Sequence, residues 1–163
     1  QEMLPALAAG SIDAFNTWEP HIANGKKAMA DQVEQLDTKN VYSETFNIVV
    51  MQSYLQRNPK LVEKFLAALL DAEAWMSANP DEAVALVAKA IGMAPDDLRP
   101  LWKEYVYKVE IGAKQLDALK THATWRLETG NHPPGATMPD FSKFVFPDAL
   151  RRLDKTRVPA SAN

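Results

Sequence analysis

Apolar positions recur at helical spacing along most of the chain, and two short runs suit strands instead. Met3, Leu4 and Leu7 share one side of a predicted helix over 2–9. Pro5 fits its first turn, and Gly10 supplies a left-handed stop. Ile12-Asp13-Ala14-Phe15 then has the length of one buried strand. Pro20 ends the following polar loop, because proline lacks an N–H and biases Glu19 toward extended geometry. Residues 21–39 are polar and mixed. Phe46-Asn47-Ile48-Val49-Val50-Met51 is a β-branched apolar run and the strongest strand signal in the chain.

From there the pattern is helical. Asn58-Pro59 reads as an N-cap followed by proline at the first helical position. The predicted helix runs to about residue 78, with Val62, Phe65, Leu66, Leu69, Ala72 and Met76 as its apolar stripe. Asn79-Pro80-Asp81-Glu82 repeats the start signal, and Gly92 ends that helix after Ile91. Pro95-Asp96-Asp97 opens a third helix, to residue 106 or 107, and a fourth spans 113–129 before Gly130. Residues 131–139 form a loop, 141–153 hold a short helix with Phe141, Phe144 and Phe146 as anchors, and 158–163 form a tail.

Composition narrows the function classes. The chain has 163 residues, 47% of them hydrophobic, which suits a packed domain and not a disordered one. A net charge of −3 gives no basic excess for nucleic acid. The cluster Arg151, Arg152, Lys155 and Arg157 reads as a solvated face. Cysteine is absent, which removes disulfides, thiolate catalysis and Cys-based zinc sites. No apolar run reaches membrane-spanning length. The chain opens with Gln1-Glu2-Met3, as expected of a processing boundary, and carries no signal peptide.

Candidate chemistry is sparse. His21, His122 and His132 lack metal-ligand spacing, so no metal is expected. Asp81, Glu82, Asp96 and Asp97 sit at helix starts, where they favour the positive end of the dipole. The six glycines form no phosphate loop, and there is no Gly-x-Ser-x-Gly elbow. No catalytic residue and no cofactor are expected. Trp75, Trp102 and Trp125 fall inside predicted helices and read as core packing. Trp18 lies in a polar loop after a buried segment, where it either lines a ligand cleft or plugs the end of a core.

The stretch from Leu4 to Pro20, with Gly10, Ile12-Asp13-Ala14 and Trp18-Glu19-Pro20, resembles a recurring segment of one family. That family is the periplasmic solute-binding proteins of nitrate, alkanesulfonate, taurine and thiamine-precursor ABC importers. Phe46-Asn47-Ile48-Val49-Val50 is similar to the strand after the family's crossover between lobes. Asn58-Pro59 with its long helix, Ala72-Glu73-Ala74-Trp75 and Asn79-Pro80 continue the likeness over nearly the whole chain.

The resemblance implies an α/β, type 2 periplasmic-binding-protein fold, here its C-terminal, mostly helical part with a few strands. On that basis residues 1–40 are the end of the second lobe with its cleft loop. Residues 41–157 are the return crossing and the helical C-terminal part of the first lobe, and 158–163 are the tail. The implied function is capture of a small anionic or sulfonate-type solute between two lobes, whose closure presents the protein to a membrane permease. The implied location is periplasmic or extracytoplasmic, and the implied role is not enzymatic.

Ligand contacts would come from Trp18 and Glu19, with Asn16, Thr17 and His21 beside them, and from Tyr42 and Ser43, with Glu44 and Thr45, around the crossing. Glu19 either accepts from a ligand amine or shapes its loop. Alternatives are a pyrimidine or thiamine-precursor protein of the same fold, and a helical interaction domain using residues 62–76. A half-cleft also leaves apolar surface open to self-association.

Overall fold

The computed structural model describes residues 2–37 and 44–158. Eight α-helices follow in chain order: α1 Met3–Ala8, α2 His21–Met29, α3 Gln52–Arg57, α4 Pro59–Ala78, α5 Pro80–Ile91, α6 Pro95–Leu101, α7 Ala113–Glu128 and α8 Asp148–Leu153. Short 3-10 turns at Ala30–Gln32, Trp102–Glu104, Phe141–Lys143 and Lys155–Arg157 punctuate them. The chain forms two compact units, Gln1–Val41 with Asp81–Tyr105, and Tyr42–Pro80 with Val106–Asn163.

No strand forms among the described residues, which are mostly helical, so the strands expected from the sequence are not seen in them. Residues 12–15 are irregular, and 46–51 run without regular structure. A strand needs lateral partners for its N–H and C=O groups. The run 46–51 has none here, and its apolar side chains face water: Phe46 is 81% exposed and Val49 89%.

The helix starts fall where the sequence places them, but by a different device. Asn58 and Asn79 do not cap the helices that follow them. The Asn58 side chain donates Nδ2–H to the Tyr54 carbonyl at 3.2 Å, and that of Asn79 donates to the Trp75 carbonyl at 2.9 Å. Each amide thus adds a second bond to a carbonyl that already accepts the same residue's backbone N–H at 2.9 Å, and closes the end of the preceding helix. Proline at the next position needs no capped N–H of its own.

In the second unit, α4 packs on α8. Leu150 and Val158 are buried, with Leu66, Leu70, Val109, Ile111 and Leu116 packed around them. Leu66 and Leu70 are one turn apart, and Val62, Leu66, Leu69 and Met76 of the expected stripe are half-buried, whereas Ala72 is exposed. Phe65 is half-exposed on its flank. Trp75 and Trp125 also keep large exposed faces, contrary to their reading as core residues, whereas Trp102 packs against the core of the first unit.

One ionic network holds the second unit's irregular segments. Arg157 donates Nη1–H to both oxygens of Glu73 at 2.7 Å and to the Val109 carbonyl at 3.3 Å. Its Nε–H reaches Asp154 at 3.3 Å, and the Val109 N–H donates to Glu73 at 2.8 Å. The Ile111 N–H closes the loop on the Arg157 carbonyl at 2.9 Å. The Arg157 and Glu73 side chains keep only 20% and 19% of their exposure, so they are screened far less than a surface pair. The sequence reading of Arg157 as part of a solvated basic face is therefore corrected. Arg151 and Arg152 keep to the surface and pair with Asp148 and Glu63.

The first unit has its own small core. Val84, Ala88 and Leu98 are buried, with Val87, Met93 and Trp102 against them. Val84 and Ala88 are one turn apart on α5, and the Gly92 φ of 70° ends that helix in the left-handed region. Gly25 is the buried residue of α2, and Leu4 of α1 lies against it.

Two outcomes follow from the network and its neighbours. Arg157→Ala leaves the Glu73 carboxylate half-buried without its cation, and should cost about 2 kcal/mol in urea unfolding. A loss below about 0.5 kcal/mol would show that the network is not structural. The second concerns pH. The Lys108 ammonium and the Gln115 amide lower the Glu110 pKa, and the Thr156 hydroxyl and N–H lower that of Asp154. Both carboxyls release protons more readily folded than unfolded, so their contribution is complete above about pH 4.5. It is lost as pH falls through the lowered folded values. The urea midpoint should drop between pH 5 and pH 3, both conditions chosen to bracket that window. An unchanged midpoint would contradict the assignment.

Candidate functional site

The loop before α2 is built by hydrogen bonds to its own helix. Glu19 accepts the Ala23 N–H on Oε2 at 3.0 Å. The Trp18 carbonyl accepts from His21 and the Pro20 carbonyl from Asn24, both at 3.0 Å. Three N–H groups of the first turn and a half are thereby satisfied, and the carboxylate meets the positive end of the helix dipole. This explains why a mostly polar stretch, with Ile22, Gly25 and Met29 as its less exposed side, becomes helical over His21–Met29.

The Trp18 indole stands edge-on to the His21 imidazole, with ring centres 6.2 Å apart and planes at 71°. The indole is 67% exposed, so it does not plug a core. Glu19 is half-buried and engaged in the loop-shaping bond. Asn16 is exposed and Thr17 half-buried just before them. Trp18, Glu19 and His21 are thus brought together at the start of α2, with Asn16 and Thr17 on the same loop. Tyr42 and Ser43 lie outside the described residues. Of their neighbours, Thr45 accepts a long bond of 3.5 Å from the Asn47 amide.

A cavity of about 340 Å³ adjoins this loop. One wall is the face of α2 that carries Ala23, Asn24 and Lys27, with Pro20 at its start. The other is the turn holding Gly92, Met93 and Ala94, with Asp97 of α6. Positions 20, 23, 24 and 27 recur at one-turn spacing, the signal by which the sequence could have shown this face. A search for apolar periodicity passes over it, because Asn24 and Lys27 are polar.

A separate cavity of about 390 Å³ lies in the second unit, lined by Arg57, Lys60 and Lys64 with Asn58, Pro59 and Leu61. Among the described residues no cluster of three or more His, Asp or Glu side chains converges as a metal site, and no helix is long and apolar enough to cross a membrane. The geometry suits non-covalent capture: an exposed aromatic plate, a rigid loop and a shallow polar cleft.

A family model described as NMT1/THI5 like matches residues 1–83, half of the chain, including the Trp18 loop and α2 through α4. Proteins described only as binding proteins in Brucella abortus, Brucella suis and Brucella melitensis are each 28% identical over 90 residues. The aligned stretch is 53% of this chain but 28% of each relative, so this chain spans only a minor part of their length. No solved structure matches the chain.

The Glu19 cap can be checked directly. Glu19→Ala should speed hydrogen exchange at the Ala23 amide about fivefold, as expected for loss of about 1 kcal/mol at a helix start. Unaltered exchange would mean that the carboxylate does not hold the helix.

Proposed function

The chain belongs to the NMT1/THI5-like family, and from that premise we propose that it supplies one wall of a solute-capture cleft in an ABC import system. The solute is small and anionic or sulfonate-type, and the protein works outside the cytoplasm and hands its cargo to a membrane permease. Trp18 carries the reading. It is a 67% exposed indole, fixed edge-on to His21 at the mouth of a rigidly capped helix, inside the matched residues. An exposed indole beside a cleft offers a face that the apolar part of a bound solute would cover.

In this reading the chain is the C-terminal, mostly helical part of a type 2 periplasmic-binding-protein fold. The exposed run from Phe46 to Met51 supports that placement. Met51 has extended backbone, and the apolar side chains of the run are uncovered. In the longer fold these residues would enter a sheet. The helical interaction alternative loses weight, because Leu66 and Leu70 of α4 are already packed on Leu150 and Val158.

The test is a thermal-shift screen with nitrate, ethanesulfonate, taurine and a hydroxymethylpyrimidine. At least one should raise the melting temperature in proportion to its concentration. Trp18→Ala should leave the ligand-free melting temperature unchanged and weaken binding of that solute about tenfold. A screen in which no solute shifts melting would contradict the capture function, and undiminished binding by the variant would remove Trp18 from the site.

A further inference from the structure

The sequence holds one Asn-Gly pair, Asn24-Gly25, and it lies on α2. An asparagine before glycine loses ammonia readily, because no side chain shields the next backbone nitrogen from the amide carbon. The other asparagines among the described residues have protecting successors. Asn58 and Asn79 precede proline, which has no N–H to attack with, and their amides already donate to carbonyls. Asn16, Asn47 and Asn131 precede Thr17, Ile48 and His132, whose side chains crowd the nitrogen. Asn24 is exposed on a cavity wall, and its side chain has no hydrogen bond among the described residues.

The folded helix opposes the reaction. Ring closure needs the Gly25 nitrogen to face the Asn24 Cγ and to give up its proton. In α2 that N–H donates to the His21 carbonyl one turn back, and the helical ψ at Asn24 is not that of the five-membered ring. The first turns of α2 must therefore open. Glu19 holds them through the Ala23 N–H at 3.0 Å, and the Pro20 carbonyl through that of Asn24 at 3.0 Å. A nine-residue helix gains little from propensity alone, so these bonds decide how often it opens. We propose that Asn24 is a site of spontaneous deamidation whose rate is set by the opening of α2, with the Glu19 carboxylate as its guard. The Gly25 nitrogen loses its proton to water and bonds to the Asn24 Cγ. The bond from Cγ to the amide nitrogen breaks, and ammonia leaves. Water then opens the succinimide, at Cγ to give aspartate or at the backbone carbonyl to give isoaspartate. One water is consumed for each ammonia released, and no oxidant or cofactor takes part. Either product puts a carboxylate on the wall that carries Lys27, three residues on. Isoaspartate also lengthens the backbone beside Gly25, the buried residue of α2, which Leu4 of α1 approaches. None of this chemistry needs a solute, so it stands apart from the capture reading.

Incubation at mildly alkaline pH, followed by peptide mapping by mass, tests it. Conversion adds one mass unit and should appear at Asn24 before any other asparagine. In urea beyond the unfolding midpoint it should run fastest. The ratio of the native rate to that in urea should match the slowing of hydrogen exchange at the Gly25 amide, since both report the same opening. Glu19→Ala should speed conversion of the native chain about fivefold and leave the rate in urea unchanged. Gly25→Ala, whose Cβ would stand at contact distance from Leu4, should fold and suppress conversion under both conditions. A native rate that Glu19→Ala leaves unchanged would overturn the proposal. So would the absence of conversion at Asn24 even in urea, or undiminished conversion in Gly25→Ala.

Discussion

Arg157 joins three pieces of chain that share no regular structure: α4, the segment at residues 109–111 and the turn at 154–157. Its guanidinium meets Glu73 on α4, Asp154 after α8 and the Val109 carbonyl, while its own carbonyl takes the Ile111 N–H. No sheet forms among the described residues, and this network joins the packing of Val109 and Ile111 in fixing the segment before α7 against α4. Among the described residues the buried side chains there are few, Ala149, Leu150 and Val158, with half-buried residues around them. In so thin a core, a half-buried charge network that satisfies its donors and acceptors sets the register that packing leaves loose. Val158 is buried because the segment carrying Arg157 is held down beside it.

The first unit relies on a smaller version of the same device. Glu19 caps α2 from outside the helix, as Glu73 receives the Val109 N–H from outside its own. In both cases a carboxylate does work that apolar burial does elsewhere. The indole of Trp18 is one residue from the hydrogen-bonded Glu19 and stands against the His21 ring.

Much of this was legible in the sequence where backbone chemistry dictates it. Proline at first helical positions and glycine after last ones placed α4, α5 and α7 to within a residue or two. The Trp18-Glu19-Pro20 loop was legible as a candidate site, and the family match covers it. Three things were not. Helix α2 was hidden because its start depends on a side chain outside it and its composition is polar, with Ile22 and Met29 as its large apolar residues. The run from Phe46 to Met51 has every intrinsic preference of a strand, yet pairing is a property of neighbours and not of the run. Arg157 looked like its exposed neighbours Arg151 and Arg152, because a charge run does not reveal which member meets a carboxylate 84 residues away. The cleft residues Lys27 and Asp97 escaped for the same reason, since 70 positions separate them (97 − 27).

The central claim is that a solute is held at the start of α2, against Trp18. The chain has four tryptophans, so a ¹⁵N spectrum of the indole N–H groups resolves the question at one residue. On titration with the solute that stabilises the chain, the Trp18 indole signal should move saturably. Those of Trp75 and Trp125 in the other unit should stay in place. Movement of Trp75 or Trp125 with a stationary Trp18 would place the site elsewhere and contradict the account.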